Sequence, residues 1–138
     1  RNKMRSKIEK SFADVLKNNL PYKFITNDRR LLGTPDVVFH DERLIVFFHG
    51  CYWHSHHCRT SKHGYQWKSL LKDIRDRDLS NISRLQKLGY ETLIVWECEW
   101  RNSQQKILEQ IKGRLYFARH QEVNDRNFPL VHLHQNFQ

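Results

Sequence analysis

Apolar residues recur along the chain with two periods, one typical of helices and one typical of strands. Three segments have the helical period of three to four residues: 5–18, 67–88 and 107–115. The first carries lysines between its apolar positions, so it is predicted to be an amphipathic helix. The second is predicted to end before Gly89, because glycine readily terminates a helix. The third contains Gly113, which weakens the helical prediction there.

The segments between these helices predict β-strands. Residues 35–39 and 44–48 are apolar runs on either side of the polar turn 40–43, which is the pattern of a β-hairpin. A short strand is predicted at 21–25, and a buried strand at 91–96 after the long helix. This order of elements predicts one mixed sheet flanked by helices, with a crossover between the later strands.

The length of the chain predicts a single α/β domain over residues 1–138. Residues 121–138 show little periodicity and are predicted to form a loosely packed tail. No run approaches the roughly 20 apolar residues of a membrane span, so no membrane contact is expected. Three cysteines without a secretory signal favour the reducing cytosol.

The charge of the chain indicates a polyanionic partner. Lysine and arginine number 24 against 15 aspartate and glutamate residues, a formal charge of +9. The basic residues are spread from Arg1 to Arg126 and do not form a tail. A basic surface of this kind is typical of proteins that bind nucleic acid, although charge alone does not establish it.

Residues 47–58, with the sequence FFHGCYWHSHHC, concentrate chemically active side chains. They hold two of the three cysteines and four of the nine histidines. Thiolate and imidazole donors in this number favour a structural tetrahedral zinc site. The predicted zinc ligands are Cys51, His56, Cys58 and Cys98. His57 could replace His56, and buried cysteines among solvated histidines are the alternative to a metal site.

Three carboxylates are candidates for chemistry. Asp36 enters a strand that is otherwise apolar, a costly position unless something binds it, although a turn aspartate after proline is as frequent. Asp78 occupies an apolar-face position of the long helix, so it requires a cation, a metal or a histidine unless the apolar stripe drifts. Glu9 lies at the edge of the first helix's apolar face, where a solvated carboxylate is the simpler interpretation.

Several motifs together resemble one family. They are Gly33-Thr34-Pro35-Asp36, residues 47–58, Trp67, Arg77-Asp78, residues 82–86 (ISRLQ) and residues 93–98 (LIVWEC). In these motifs the chain resembles the very-short-patch-repair (Vsr) mismatch endonucleases, a branch of the restriction-endonuclease-like fold, from about Ile8 to beyond Trp96. The resemblance implies a restriction-endonuclease-like αβββαβ core with a structural zinc site. It also implies an N-terminal arm, for which residues 1–7 are expected to be a shortened or truncated form.

The resemblance also implies an activity. Members of the family nick one strand of duplex DNA 5′ to the thymine of a T:G mismatch, which arises when 5-methylcytosine deaminates, and so initiate very short patch repair. We therefore expect a magnesium-dependent, DNA-binding monomer in the bacterial cytosol or nucleoid, with zinc as a structural ion. A cytosine-5 methyltransferase and mismatch-repair proteins are the expected functional partners.

The resemblance assigns roles to individual residues. Asp36 is implied to bind Mg²⁺ together with the backbone carbonyl of Phe48, and His54 is implied to be the catalytic histidine. The supporting groups are implied to be His49, Glu9 and Asp78, and the implied zinc ligands are again Cys51, His56, Cys58 and Cys98. A histidine with a pKa of about 6.5 can activate water near neutral pH.

Aromatic side chains are candidates for mismatch recognition, because a T:G pair is easier to unstack than a matched pair. The candidate wedges are Tyr52, Trp53 and Trp67. A core position is the serious alternative for Trp67, which begins the apolar stripe of the long helix.

Three other functions remain possible from the sequence. The first is an endonuclease of the same fold that cuts or nicks matched DNA, and the second is a zinc-stabilised DNA-binding module without activity. The third, a ββα-metal nuclease, also has a histidine-rich loop, but the predicted order of strands fits it poorly.

Overall fold

The computed structural model describes residues 7–50 and 68–127, with side chains in 7–50 and 74–120. The helices are α1 (Lys7–Asn19), α2 (Lys68–Lys87), α3 (Glu97–Asn102) and α4 (Gln104–Asn127). The strands are β1 (Ile25–Thr26), β2 (Val37–Phe39), β3 (Leu44–His49) and β4 (Glu91–Trp96). The predicted order of helix, three strands, helix and strand is confirmed.

The four strands form one mixed sheet in the order β1-β2-β3-β4. β1, β2 and β3 are antiparallel neighbours, and the predicted hairpin is present with Val37 opposite Val46. β4 pairs with β3 in parallel and places Trp96 beside His49. Parallel pairing requires a crossover, which the long helix α2 provides. A mixed sheet flanked by helices fits the restriction-endonuclease-like α/β fold.

Apolar side chains cover both faces of the sheet. On one face, side chains such as Phe12, Val46 and Ile111 join α1, the sheet, α3 and α4 in one core. On the other face, Val38, Ile45, Phe47 and Leu85 form a smaller core with α2. Each fully buried large side chain contributes roughly 1.5–3 kcal/mol, so both layers hold the central strands in place.

The loop between β1 and β2 is closed at its base and anchored by a buried carboxylate. The N–H of Asn27 donates to the carbonyl of Asp36 at 3.1 Å. Asp28, only 4% exposed, accepts hydrogen bonds from Arg30 and is 2.8 Å from Nε2 of His40. Hydrogen bonding by Arg30 is the main cause that holds the pKa of Asp28 well below its usual range. The loop that leads to Asp36 is therefore fixed at both ends.

The end of α2 agrees with the prediction at Gly89. This glycine has a φ of +98°, a left-handed conformation that favours glycine. The N–H of Tyr90 donates to the carbonyl of Leu85 at 3.2 Å, and Arg43 donates to the carbonyls of Leu88 and Gly89. These bonds satisfy carbonyls that a helix end leaves without partners.

Several boundaries differ from the predictions. β1 has two residues where a strand at 21–25 was predicted, and α3 was not predicted at all. α4 continues through Gly113 as far as Asn127, past the start of the predicted tail at Gln121. No helix in the described ranges is long and apolar enough to cross a membrane.

Candidate functional site

A small cavity of about 50 Å³ lies between the sheet and α2. It is lined by Gly33, Asp36, Phe47, His49, Asp78, Asn81 and Ile82. Three of the predicted catalytic residues, Asp36, His49 and Asp78, thus line one cavity. A larger groove of about 660 Å³ runs between α1 and β1, and no predicted site residue lines it.

The strand register explains how these side chains meet. Because β2 and β3 are antiparallel, the residue that precedes β2 lies at the same edge as the end of β3. Asp36 precedes β2, and His49 ends β3. α2 covers this face through the core around Leu85, and Asp78 lies on the same stripe two turns earlier. The prediction that Asp78 faces inward is confirmed, because it lines the cavity.

Asp36 is held in a defined orientation. Asp36 is only 9% exposed, and its Oδ2 accepts a hydrogen bond of 2.8 Å from the backbone N–H of Phe48. A carboxylate in such a position is costly unless it has hydrogen-bond partners. The bond therefore stabilises Asp36 in its buried position and links the start of β2 to the end of β3.

His49 lies between two aromatic rings. It is 5% exposed, and its ring is 5.2 Å from that of Trp96 in an edge-on arrangement and 5.7 Å from that of Phe47. Trp96 is also the register partner of His49 in β4. These contacts restrict the orientation of the imidazole.

Phe48 contributes to the site through its backbone. Its N–H donates to Asp36, while its ring lies in the core on the opposite face, 4.9 Å from the ring of Phe12. Glu9 is half-buried on α1, three residues before Phe12, and does not line the cavity. The structure therefore brings Phe48 to Asp36 but does not place Glu9 in the cavity wall.

Seven predicted site residues lie outside the described residues: Cys51, Tyr52, Trp53, His54, His56, Cys58 and Trp67. The fourth predicted zinc ligand, Cys98, is half-buried in the first turn of α3. Within residues 7–50 and 68–127, no group of three or more His, Cys, Asp or Glu side chains is arranged to hold a metal ion. Zinc and magnesium binding both stay predictions.

Two contributors to the site were not found from the sequence. Asn81 lines the cavity one helical turn after Asp78, and Trp96 packs against His49. The spacing of three residues on α2 could have indicated Asn81, because such residues share a helix face. Trp96 could be placed only with the β3–β4 register.

Comparison with known proteins gives consistent matches. The sequence model of the family described as DNA mismatch endonuclease Vsr matches residues 2–60. The DNA mismatch endonuclease Vsr of Escherichia coli (strain K12) is 38% identical over 112 residues, which cover 78% of this chain and 71% of that protein.

Two further relatives are named as nicking enzymes. The type II nicking enzyme V.XorIIP of Xanthomonas oryzae pv. oryzae is 36% identical over 96 residues, 66% of this chain and 69% of that enzyme. The type II nicking enzyme V.NmeAIP of Neisseria meningitidis is 34% identical over 86 residues, 59% of this chain and 61% of that enzyme.

Proposed function

Because the chain belongs to the Vsr family of DNA mismatch endonucleases, we propose that it nicks one strand of duplex DNA 5′ to the thymine of a T:G mismatch. This activity would initiate very short patch repair. The observation that carries the proposal is the cavity shared by Asp36, His49 and Asp78, because it combines two carboxylates and an imidazole in one small volume.

The donor set of the cavity fits Mg²⁺. This ion is usually held by one or two carboxylates together with water and substrate phosphate, not by a cage of protein ligands. Asp36 would hold it together with the backbone carbonyl of Phe48. When bound, Mg²⁺ supplies stabilisation of the negative charge that develops on the phosphoryl oxygens.

Proton transfer is assigned to histidine. His54 accepts the proton of the attacking water in this proposal, since an imidazole titrates near neutral pH. His49 and Asp78 line the same cavity as Asp36. We therefore assign them supporting roles beside the scissile phosphate. Glu9 remains a supporting group in the proposal.

The register at the end of the sheet supports the zinc proposal. His49 pairs with Trp96, and Cys51 and Cys98 each follow two residues later in the sequence. Parallel strands end at the same edge of a sheet, so β3 and β4 both end at the edge from which the chain continues to Cys51 and to Cys98. The proposed site of Cys51, His56, Cys58 and Cys98 would connect residues 51–58 to α3.

DNA recognition would combine charge with aromatic wedges. The net charge of +9 favours contact with phosphate. Tyr52, Trp53 and Trp67 are the proposed wedges, because insertion costs less at a wobble pair that is already weakly stacked. The mismatch itself arises by deamination of 5-methylcytosine, so a cytosine-5 methyltransferase and mismatch-repair proteins would act on the same DNA.

A second candidate function is nicking of matched DNA. Two similar proteins, V.XorIIP and V.NmeAIP, are named type II nicking enzymes, and these names state nicking without a mismatch. A strand-resolved nicking assay with Mg²⁺, on duplexes that differ only in T:G or C:G, separates the two functions. We expect a nick only in the T:G duplex and only 5′ to the thymine. Equal nicking of both duplexes would favour the second candidate, and no nicking of either would refute both.

A further inference from the structure

Asn81 is a polar wall residue of the cavity to which the proposed mechanism gives no role. It lies on α2, one turn after Asp78, and is half-buried. Its amide packs against the backbone of Gly33: a Cβ added to that glycine would lie 3.1 Å from Nδ2 of Asn81. Gly33 has a φ of +80°, a conformation that favours glycine, and the absence of a side chain there leaves room for the amide beside the loop.

The side-chain amide of Asn81 makes no hydrogen bond to another group in the described part of the chain. An asparagine amide offers two donors and an acceptor oxygen. Because Asn81 is only half-buried and lines the cavity, solvent or a ligand in the cavity can reach its amide. The amide is thus available to a ligand in the cavity.

Charge limits the chemistry of that ligand. The other polar residues in the wall are two carboxylates, Asp36 and Asp78, and His49. Asn81 adds donors without adding a third negative charge. A neutral donor beside a cation-binding carboxylate suits an oxygen ligand that is itself negative or polarised. A cavity of about 50 Å³ can hold such an oxygen, since a water molecule occupies roughly 30 Å³.

We propose that the Asn81 side-chain amide is a further ligand-contacting residue of this endonuclease, which hydrogen-bonds an oxygen atom held between Asp36 and Asp78. The oxygen belongs either to a water molecule or to a phosphate group of the DNA. This inference rests on the proposed endonuclease function and adds a specific residue to it.

The test compares two changes at Asn81 with a neighbouring control. Asn81→Leu removes the amide at similar volume, Asn81→Asp replaces it by a carboxylate of the same shape, and Ser80→Ala changes the exposed residue before it. Three quantities are measured: the single-turnover nicking rate, the affinity for duplex DNA with Ca²⁺ in place of Mg²⁺, and the affinity for Mg²⁺ without DNA.

We expect Asn81→Leu to lower the nicking rate by roughly 10- to 100-fold, since loss of one donor at a charged reacting group has an effect of about this size or larger. Ser80→Ala should retain the wild-type rate. If the oxygen belongs to water, Asn81→Leu should also weaken Mg²⁺ binding in the absence of DNA. If it belongs to phosphate, DNA affinity should fall and Mg²⁺ affinity should not change.

Asn81→Asp provides an independent test if the Asn81→Leu variant does not fold. The added charge should strengthen Mg²⁺ binding and weaken DNA binding through repulsion of phosphate. Wild-type values of all three quantities in either folded variant would overturn the inference. A lower melting temperature with unchanged rate and affinities would also overturn it, because it would show a purely structural role.

Failure of the proposed function gives a different result. In that case the wild-type protein itself would show no nicking with Mg²⁺. If the wild-type protein nicks DNA and the Asn81→Leu variant nicks it at the same rate, only the role of Asn81 is refuted.

Discussion

The ring of Phe12 lies 4.9 Å from the ring of Phe48, the residue whose N–H donates to Asp36. Packing of α1 against one face of β3 therefore supports a carboxylate that lines a cavity on the other face. Phe12 is almost fully buried, and it also contacts Trp100 edge-on at 4.7 Å. One aromatic residue thus joins α1, the central strand and α3.

Phe12→Ala should lower both stability and activity. We expect a loss of about 3–5 kcal/mol in the free energy of unfolding, typical of a buried phenylalanine. The nicking rate should also fall at temperatures where the variant remains folded, because the end of β3 is less well held. Denaturant unfolding and single-turnover rates measure both effects. Leu79→Ala, at an exposed position of α2, should change stability by less than about 0.5 kcal/mol.

Asp36→Asn should separate binding from chemistry. Removal of the carboxylate charge should abolish Mg²⁺-dependent nicking, whereas affinity for the T:G duplex should persist or increase through lower repulsion of phosphate. His54→Ala should show the same pattern, because it removes the proposed proton acceptor. The matched control is Asp14→Asn at an exposed position of α1. Wild-type nicking by Asp36→Asn would show that the active site lies elsewhere.

Trp53→Ala should have the opposite effect. Loss of one stacked aromatic costs roughly 1–3 kcal/mol, by analogy with stacking on single strands. The loss should fall mainly on the mismatched duplex and bring its affinity towards that of matched DNA. Titration of both duplexes measures the difference. Full retention of T:G preference would transfer the wedge role to Tyr52 or Trp67.

Removal of zinc should destabilise the fold. We expect one zinc ion per chain by elemental analysis, and a sharply lower melting temperature for Cys98→Ala or after chelation. Asn102→Ala, at an exposed position at the end of α3, is the control for a small change in this region. A protein that contains no zinc and is equally stable after the Cys98 change would contradict the site.

Asp28 should make stability depend on acid pH. Its pKa in the folded protein is depressed, mainly by the hydrogen bonds from Arg30, so its ionised form stabilises the fold. This contribution is fully present above the ordinary aspartate pKa of about 3.9 and is lost as the pH falls through that value towards the folded pKa. Asp28→Asn should therefore be less stable than wild type at pH 7, with the difference decreasing below about pH 4.

Thermal unfolding between pH 7 and pH 2.5 tests the role of Asp28. Asp14→Asn should follow the wild-type curve, because Asp14 is exposed on α1. A constant difference between wild type and Asp28→Asn across this range would contradict the assignment.

Periodicity was sufficient for the main elements of the fold. The hairpin, α2 and β4 each have a strong local pattern, and the structure confirms them. α3 was missed because one buried residue, Trp100, holds it in the core, and its partner Phe12 is distant in sequence. The strand predicted at 21–25 differs from β1, because only Ile25 and Thr26 pair with β2.

Site residues could be predicted from the sequence where a charged residue interrupted the pattern of apolar positions. Asp36 and Asp78 were singled out because charged groups stood at apolar positions, and both line the cavity. Asn81 carries no charge, so its position near Asp78 on α2 did not stand out from the sequence pattern. Asp28 was missed because its partners, Arg30 and His40, meet it only when the loop folds over the sheet.

The parallel pairing of β3 and β4 has a consequence for the order of folding. The hairpin of β2 and β3 closes over a four-residue turn, whereas Leu44 meets Glu91 only after residues 45–90, which include α2, have been spanned. Closing the longer loop costs more chain entropy, so we expect β4 to dock after the hairpin. Until it docks, His49 lacks the ring of Trp96. A nascent chain would therefore acquire an ordered cavity only after synthesis has passed residue 96.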